Sequence, residues 1–327
     1  MKIAVCGSIA TDHLMTYQGR FAESLVPDQL DKISLSFLVE DLEVRRGGIG
    51  ANISFGMAKL GHRPVLVGAV GEDFAGYRSW LERHGVQCQH VHVSQTRHTA
   101  RFICTTDEDM AQIATFYAGA MSEARTIELG PVVDACGGID LVVVSPDDPE
   151  AMLRHSAECR TRGLPFAADP SQQLAFMDGA SIRRLVDGAT YLFTNEYEAA
   201  LTERKTGWSA EEILQHVRIR VITLGQDGAT VLAKGAEPIH VPIAAQVRRV
   251  DPTGVGDGFR AGFLAGLAWD LGHERCAQLG SMLAAYVLET VGTQEYDFDP
   301  RALLQRFTAA YGAQAATEVA RNLGQGH

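Results

Sequence analysis

Short apolar runs alternate along most of the chain with segments of helical period. The short apolar runs, among them 2–8 (KIAVCGS), 64–71 (PVLVGAVG) and 140–145 (DLVVVS), are rich in valine and isoleucine taken together, and amphipathic stretches such as 149–163 lie between such runs. Continuous apolar strands followed by helices predict a mainly parallel sheet that is covered on both faces. Ligands of such sheets bind beyond the carboxyl ends of the strands, so residues that follow a strand are the candidates for function.

Two segments interrupt this alternation. Residues 31–47 and 98–121 read as extended, partly alternating strands, and TDEDM at 106–110 has the character of a hairpin turn. Neither segment contains a helical pattern. Together they predict a small separate sheet that covers the strand ends as a lid.

The rest of the chain completes one predicted domain. A hairpin-like run at 228–243 follows the last parallel strand, and two or three helices are expected from Asp257 onward. We therefore expect a single domain over 1–327, with lid strands inserted at about 14–46 and 97–120.

Composition excludes several classes of protein. The 327 residues are 46% hydrophobic and 21% charged, as in folded globular proteins. A net charge of -11 without a dense Lys/Arg run argues against a nucleic-acid partner. No stretch approaches the roughly 18 apolar residues of a membrane span, and the N-terminus predicts a first strand rather than a signal peptide. Six scattered cysteines without a Cys-x-x-Cys pair favour reduced thiols and a cytoplasmic location.

The local pattern GVGDGF at 254–259 sets a glycine-rich turn and one aspartate before an apolar run. It is not a Rossmann fingerprint, because Phe259 stands where a third glycine is needed, and no Gly-Lys-Ser/Thr follows as in a Walker loop. Gly254 and Gly256 instead open a predicted helix, whose unpaired backbone N–H groups can bind an anion. The turn is therefore a candidate phosphate site.

Asp257 lies in the first turn of this predicted helix. It could accept a proton from a hydroxyl while neighbouring N–H groups hold the phosphoryl group under attack. It could equally complement the helix dipole and have no further role. The spacing alone leaves both interpretations open.

Four motifs resemble those of the PfkB, or ribokinase-like, carbohydrate and nucleoside kinases, in the order of that family. They are GGIGANISFGMAKLG (47–61), NEYE (195–198), TLGQDG (223–228) and DPTGVGD (251–257). The resemblance implies a ribokinase-like three-layer α/β/α domain with a mainly parallel central sheet plus a small β-sheet lid.

The same resemblance implies a reaction and assigns its catalytic groups. The γ-phosphoryl group of ATP would be transferred to a hydroxymethyl group, with Asp257 as the base. The backbone N–H groups of Gly254, Val255 and Gly256 would surround the transferred phosphoryl group. This suits a reaction in which catalysis is mostly positioning and charge stabilisation.

Cofactor residues are also implied by the resemblance. Asn195 and Glu198 would organise Mg²⁺ and its waters around the ATP phosphates, although a helix cap with an acidic first turn explains the same residues. Thr223, Gly225 and Gly228 would lie along the nucleotide, with Gly256 also assigned to it. A plain strand-to-strand turn explains the glycines at 225 and 228 equally well.

Asp251 and Thr253 match positions that can form a monovalent-cation site, suited to K⁺, in this family. Pro252 and Val255 replace the residues usual in the motif, which weakens that correspondence.

The acceptor residues are expected near the start of the chain. In the family, residues such as Asp12, after the first strand, and Asn52, at the first helix, bind ring hydroxyls together with the backbone near Gly48. Ser8 and Ser36 are assigned to the same site. A carboxylate can accept hydrogen bonds from two vicinal hydroxyls, which suits the cis-diol of a ribose.

Aromatic and amide side chains are candidates for binding a nucleobase. Phe102 and Phe116, on the two predicted lid strands, can stack on a purine, or they can simply fill the core of the lid. Gln172 and Gln173 follow a strand and can hydrogen-bond a base edge, or they can be solvated residues at a helix start.

The run at 98–121 and GSIATDHL at 7–14 resemble the adenosine kinases of the bacterial branch. We therefore expect phosphorylation of the 5′-hydroxyl of adenosine to give AMP and ADP, a reaction of purine salvage. A ribokinase- or fructokinase-like sugar kinase is the alternative enzyme, and a non-catalytic nucleoside-binding protein is the alternative of another class. Lids of this family often pair between subunits, so we also expect a homodimer through the lid strands, with 31–39 making contacts.

Overall fold

A computed structural model describes residues 1–25, 35–244 and 247–323. Within that part, the chain forms a nine-stranded sheet and a four-stranded sheet. The strands of the large sheet are β1 (Ile3–Cys6), β4 (Val65–Gly71), β5 (Val91–Ser94), β8 (Leu141–Val144), β9 (Phe166–Ala168), β10 (Tyr191–Asn195), β11 (Ile219–Thr223), β12 (Ala229–Ala233) and β13 (Ile239–Val241). The strands of the small sheet are β2 (Ala10–Thr16), β3 (Asp41–Gly47), β6 (Ala100–Thr106) and β7 (Gln112–Tyr117).

The large sheet confirms the predicted mainly parallel architecture. Its order is β13-β12-β11-β10-β9-β8-β1-β4-β5, and neighbours from β11 to β5 are parallel. The hairpin of β12 and β13 adds an antiparallel edge. Alternate residues of β1 enter two different cores: Ile3 and Val5 one, Ala4 and Cys6 the other. The sheet is therefore covered on both faces, as three layers require.

Helices form the two outer layers. They are α1 (Phe21–Ser24), α2 (Ile49–Lys59), α3 (Ala75–Arg83), α4 (Leu129–Ala135), α5 (Pro149–Arg162), α6 (Gly179–Val186), α7 (Glu196–Thr206), α8 (Ala210–His216), α9 (Val255–Ala268), α10 (His273–Leu288), α11 (Pro300–Tyr311) and α12 (Ala313–Ala320). The prediction of two or three helices after the glycine-rich turn was wrong, because four follow it within residues 247–323. Gly312 at φ 87° breaks what would otherwise read as one long helix into α11 and α12. No helix among the described residues combines the length and hydropathy of a membrane span.

The lid sheet has the order β3-β2-β6-β7. Its strand β2 starts at Ala10, directly after β1 and before the predicted boundary near residue 14. The hairpin turn predicted between β6 and β7 is confirmed, and the carboxylate of Asp107 accepts hydrogen bonds from the backbone N–H groups of Phe21, Asp109 and Ala111. The lid therefore begins at the carboxyl end of a central strand of the large sheet.

The extended strand expected over 31–47 is shorter than predicted. Only Asp41–Gly47 is a strand, whereas residues 35–40 have no regular structure. Phe37 packs against Tyr17 and Phe21, with ring centroids 4.8 and 4.9 Å apart, which attaches this segment to the lid. The other half of the predicted strand, with Ile33 and Ser34, lies outside the described residues.

Candidate active site

Two cavities meet at the N-terminus of α9, beyond the carboxyl ends of the parallel strands. The acceptor cleft, a cavity of about 760 Å³ reaching the lid, is lined by residues from β2, β7, β10 and α9. The nucleotide pocket, of about 550 Å³, lies towards α10 and β13. Thr223, Gly225 and Gly256 line both. Two reactants bound in these cavities would therefore meet beside Gly256.

The glycine-rich turn is shaped for an anion. Gly254 adopts a left-handed conformation at φ 76°, and a Cβ there would lie 2.8 Å from Cγ2 of Thr293. No side chain of the described residues caps the helix that starts at Val255. The N–H of Val255 donates to the carbonyl of Pro252 at 3.4 Å, so the predicted set of anion-binding groups is only partly free. The N–H groups of Gly256 and Asp257 are left for a bound group, and the helix dipole favours negative charge there.

Asp257 lies beside this anion site and lines the acceptor cleft. Its Oδ2 accepts a hydrogen bond of 2.8 Å from Nδ2 of Asn52. Desolvation by the surrounding protein raises the pKa of Asp257 to about 7, although the Asn52 hydrogen bond and the charge of Arg260 act in the opposite direction. A carboxylate with such a pKa is a suitable proton acceptor near neutral pH.

Asn52 is held by a network that sequence reasoning missed. Its Oδ1 lies 2.9 Å from both Oγ1 of Thr293 and Nε2 of Gln294. Gln294 also bonds the hydroxyl of Tyr77, which donates to the carbonyl of Gly47. Asn52 is buried at the cleft wall, and the structure places its amide on Asp257. The side chain of Asn52 therefore orients Asp257, in addition to the contact with a ring hydroxyl that the sequence predicts.

A buried ion pair, also missed from the sequence, underlies the site. The guanidinium of Arg260, on α9, lies 2.5 and 2.6 Å from the two carboxylate oxygens of Asp169, which follows β9. Nη2 of Arg260 is 3.9 Å from Glu198 Oε2, and a Cβ at Gly256 would lie 2.9 Å from its Nη1. Arg260 thus brings a positive charge to the acidic residues of the cleft floor. The sequence signal for this ion pair was Arg260 itself, a charged residue one turn after Asp257 on an otherwise apolar helix face.

Asn195 and Glu198 form a capping box at the start of α7, each side chain bonding the other's backbone N–H at 2.8 Å. The alternative interpretation as a helix cap is therefore correct as local structure. Both residues also line the acceptor cleft. Oxygen donors from one carboxylate and one amide fit Mg²⁺, which keeps several waters and takes other ligands from phosphates. The role in metal binding stays a prediction.

The nucleotide pocket combines predicted glycines with apolar walls. Gly228 has φ 89°, and a Cβ there would collide with the carbonyl of Val241, so this turn requires glycine. Thr223 and Gly225 stand at the entrance shared with the acceptor cleft. The remaining walls come mainly from apolar side chains: Ile243, Val247, Val255, Phe259, Ala284, Ala285 and Leu288. Such a surface suits a flat heterocyclic base.

The other end of the acceptor cleft holds polar groups from the start of the chain. Ser8 Oγ accepts the N–H of Ile49 at 3.0 Å, and Gly48 has φ 91° with no room for a Cβ beside Ser8 and Ala10. Asp12 lines the cleft, and burial raises its pKa to about 6 against the charge of Arg45. Ser8, Gly48 and Asp12 are thus brought together as predicted.

One row of the lid sheet carries the predicted aromatic side chains. Arg45, Asp12, Phe102 and Phe116 pair directly across the four strands, and so share one face. Asp12 and Phe116 line the cleft, which fixes this face as the inner one. Phe102 lies between them on the same face but is not among the lining residues, so its contact with a base stays a prediction. Ser36 is exposed and is not among the lining residues, and its contact with the acceptor stays a prediction.

The predicted amides also reach the cleft. Gln173 donates through Nε2 to the carbonyl of Asp147 at 2.8 Å, and Ser171 donates to Oε1 of Gln172 at 3.0 Å. One amide therefore keeps a free NH₂ group and the other a free carbonyl oxygen. Such a pair can read a base edge that carries one acceptor and one donor.

Comparison with known proteins identifies the family. The model of pfkB family carbohydrate kinases matches residues 5–299. The chain belongs to the pfkB family. As in that family, the protein is an ATP-dependent phosphotransferase with a hydroxyl group as acceptor.

Individual relatives include kinases of nucleosides and of ribose. The nucleoside kinase of Methanocaldococcus jannaschii is 26% identical over 90% of this chain and 92% of that protein. Ribokinase of Bacillus subtilis is 25% identical over 90% of this chain and 94% of its own. The structure of Burkholderia thailandensis nucleoside kinase in complex with inosine is 35% identical, with a TM-score of 0.81, over 95% of this chain and 98% of that one.

In this pfkB-family kinase, Asp251 stabilises the glycine-rich turn before α9, here called the catalytic turn, through hydrogen bonds. Its carboxylate accepts the N–H groups of Thr253 at 2.9 Å and Gly292 at 3.0 Å, and Arg45 lies 3.7 Å away. Partial burial would raise the pKa of Asp251, but these contacts outweigh it and hold the pKa below its usual range. The K⁺ site at Asp251 and Thr253 stays a prediction.

Proposed function

We propose that this kinase phosphorylates the 5′-hydroxyl of a purine nucleoside, with adenosine as acceptor, giving AMP and ADP. The observation that carries the proposal is the inner row of the lid, where Asp12 stands beside Phe102 and Phe116. A carboxylate suits the ribose diol, and aromatic faces suit a base, whereas a free sugar would use more hydrogen-bonding groups. The 35% identity to a nucleoside kinase solved with inosine supports the same substrate class.

The choice of adenosine rests on finer features. The resemblance of 98–121 to bacterial adenosine kinases supports it. The free NH₂ group of Gln172 and the free carbonyl oxygen of Gln173 suit an edge with an acceptor and a donor, as adenine has at N1 and N6. Hypoxanthine, the base of inosine, has the donor and the acceptor in exchanged positions relative to adenine. Inosine is therefore the nearest competing acceptor.

The chemistry follows from the positions of the groups. Asp257 would accept the proton of the 5′-hydroxyl as the new bond to phosphorus forms, and the N–H groups of the Gly254 turn would hold the charge of the transferred phosphoryl group. Mg²⁺, when bound to ATP, neutralises phosphate charge. Glu198 and Asn195, which line the acceptor cleft, are the residues we assign to hold it through water.

A substrate panel tests the proposal. Release of ADP from ATP is measured with adenosine, inosine, ribose and fructose under identical conditions, with AMP identified as the second product. We expect kcat/KM to be highest for adenosine. Turnover of a free sugar without turnover of adenosine would instead establish a sugar kinase, and tight adenosine binding without any ADP release would establish a nucleoside-binding protein.

We further propose a homodimer that forms through the lid strands. The outer face of the lid exposes four large apolar side chains, Leu42, Val44, Ile113 and Tyr117, and a face of this kind often marks an interface. Sedimentation at several concentrations tests it: a dimer that Val44→Asp converts to a monomer is expected, and a wild-type monomer at every concentration would refute it. Cytoplasmic purine salvage is the cellular role that would follow.

A further inference from the structure

Phe176 is an exposed aromatic residue that sequence reasoning did not single out. Its side chain is 82% exposed, yet it lines the acceptor cleft together with Gln172 and Gln173. Single exposed apolar residues are common on proteins and need no explanation by themselves. Phe176 differs from them because it lines a cavity that is also lined by Phe116 of the lid, another exposed ring at 54%.

The backbone around Phe176 is fixed in a way that keeps the ring outside the core. Leu174 and Met177 on either side are buried, which anchors the segment at two points. Nζ of Lys205, on α7, donates to the carbonyls of Leu174, Ala175 and Met177 at 2.6, 3.0 and 2.9 Å. An ammonium group with three carbonyl acceptors uses all its donors on this turn.

The same segment begins in an unusual conformation. Ser171 has φ 42°, which is rare for a residue with a side chain, and its hydroxyl donates to Gln172. Strained backbone persists where the surrounding structure holds it, and such residues cluster at ligand sites. The segment 171–177 is therefore a rigid platform that presents two amides and one aromatic ring to the cleft.

We propose that Phe176 is a specificity-determining residue that forms the second wall of the base subsite. The flat heteroaromatic base of a nucleoside would lie between Phe176, on the side of the large sheet, and Phe116, on the lid. The ribose would then extend towards Asp12 and Asp257 at the other end of the cleft. This inference rests on the proposed nucleoside kinase function. It adds a contact that a free sugar, which has no base, cannot make.

The test compares Phe176→Ala with wild type in steady-state kinetics for adenosine and for ribose. Stacking of a base on an aromatic ring contributes enough for the variant to raise the adenosine KM at least about fivefold, with kcat within about twofold of wild type. Any turnover of ribose should be unchanged. Phe176→Tyr, which keeps the ring, should behave as wild type.

Tyr197→Ala is the matched control, because Tyr197 is an exposed ring, at 71%, outside the lining of both cavities. Thermal unfolding with and without adenosine gives a second measurement that does not depend on turnover. An adenosine KM and an adenosine-induced stabilisation that are both unchanged in Phe176→Ala would overturn the inference while leaving the proposed function intact. A wild-type enzyme that uses no nucleoside would overturn both.

Discussion

At the scale of single residues, the two carboxylates of the catalytic turn differ in pKa. The pKa of Asp257 is raised, whereas that of Asp251 is lowered. Desolvation raises the pKa of Asp257 to about 7, while Asn52 donates a hydrogen bond that favours the charged form. A carboxylate with a very low pKa stays charged but accepts a proton poorly, whereas one with a pKa well above 7 is already protonated at neutral pH. The two opposing influences leave Asp257 between these extremes.

Activity should therefore fall on the acid side with the protonation of Asp257. We expect kcat/KM for the acceptor to show an acid limb with a midpoint near pH 7, because the pKa of Asp257 is raised to about 7. Asn52→Ala removes a hydrogen bond to the charged form, so the midpoint should move to higher pH. Rates measured across the pH range with saturating ATP check both statements. A limb near pH 4 in wild type would contradict them.

The same group links stability to pH. Because the folded pKa lies above the unfolded value, the contribution of Asp257 is fully present below about pH 4 and is lost as pH rises through about 7. Asp257→Asn carries no such charge, so its unfolding temperature relative to wild type should rise between about pH 4 and pH 7. Its rate should fall at least about a hundredfold. Equal activity, or a relative stability independent of pH, would count against the assignment.

At the scale of elements, the glycine at the start of α9 is a structural requirement. Gly254→Ala would place a Cβ in a left-handed backbone and against Thr293. We expect a loss of about 1–2 kcal/mol in the free energy of unfolding, and a fall in kcat of about tenfold or more because the anion site shifts. Gly272, which precedes α10 with φ -63° and open space around it, is the control. Gly272→Ala should match wild type in denaturant unfolding and in rate.

The ion pair of Arg260 and Asp169 joins two elements, the end of β9 and the first turns of α9. Arg260→Met would leave Asp169 buried without a partner, which costs about 3–5 kcal/mol of unfolding free energy. The double variant Arg260→Met with Asp169→Leu removes both charges and should recover much of that loss. Urea unfolding of the two variants measures the difference. Equal destabilisation of both would show that the charges themselves are not responsible.

Many of the strands and helices could be predicted from the sequence, whereas some contacts between residues far apart in sequence could not. Apolar runs such as 64–71 identify buried strands because both faces of a parallel sheet are covered. The contacts of Asn52 with Thr293 and Gln294 join positions more than 200 apart in sequence, and nothing in local periodicity encodes them. Phe176 was missed for another reason: it lies in the apolar run LAFM at 174–177, where the pattern does not separate an exposed ring from the buried Leu174 and Met177.

At the scale of the whole molecule, an acidic protein must bind an anionic nucleotide. The net charge is -11, and the lining of the acceptor cleft includes three carboxylates, those of Asp12, Glu198 and Asp257. The helix N-terminus at Gly254 supplies positive potential at the glycine-rich turn, and Arg249 adds a cation to the lining of the nucleotide pocket. The charge of Arg260 is paired with that of Asp169. The attraction for phosphate is therefore local and acts against the net charge of the protein.

The position of Gly256 in the walls of both cavities has a stereochemical consequence. A phosphoryl group held at that glycine is within reach of the acceptor hydroxyl without first being carried by a side chain. Transfer then takes a single displacement, in which the entering and leaving oxygens stand on opposite sides of phosphorus. We therefore expect each turnover to invert the configuration at phosphorus, with both reactants bound before either product leaves.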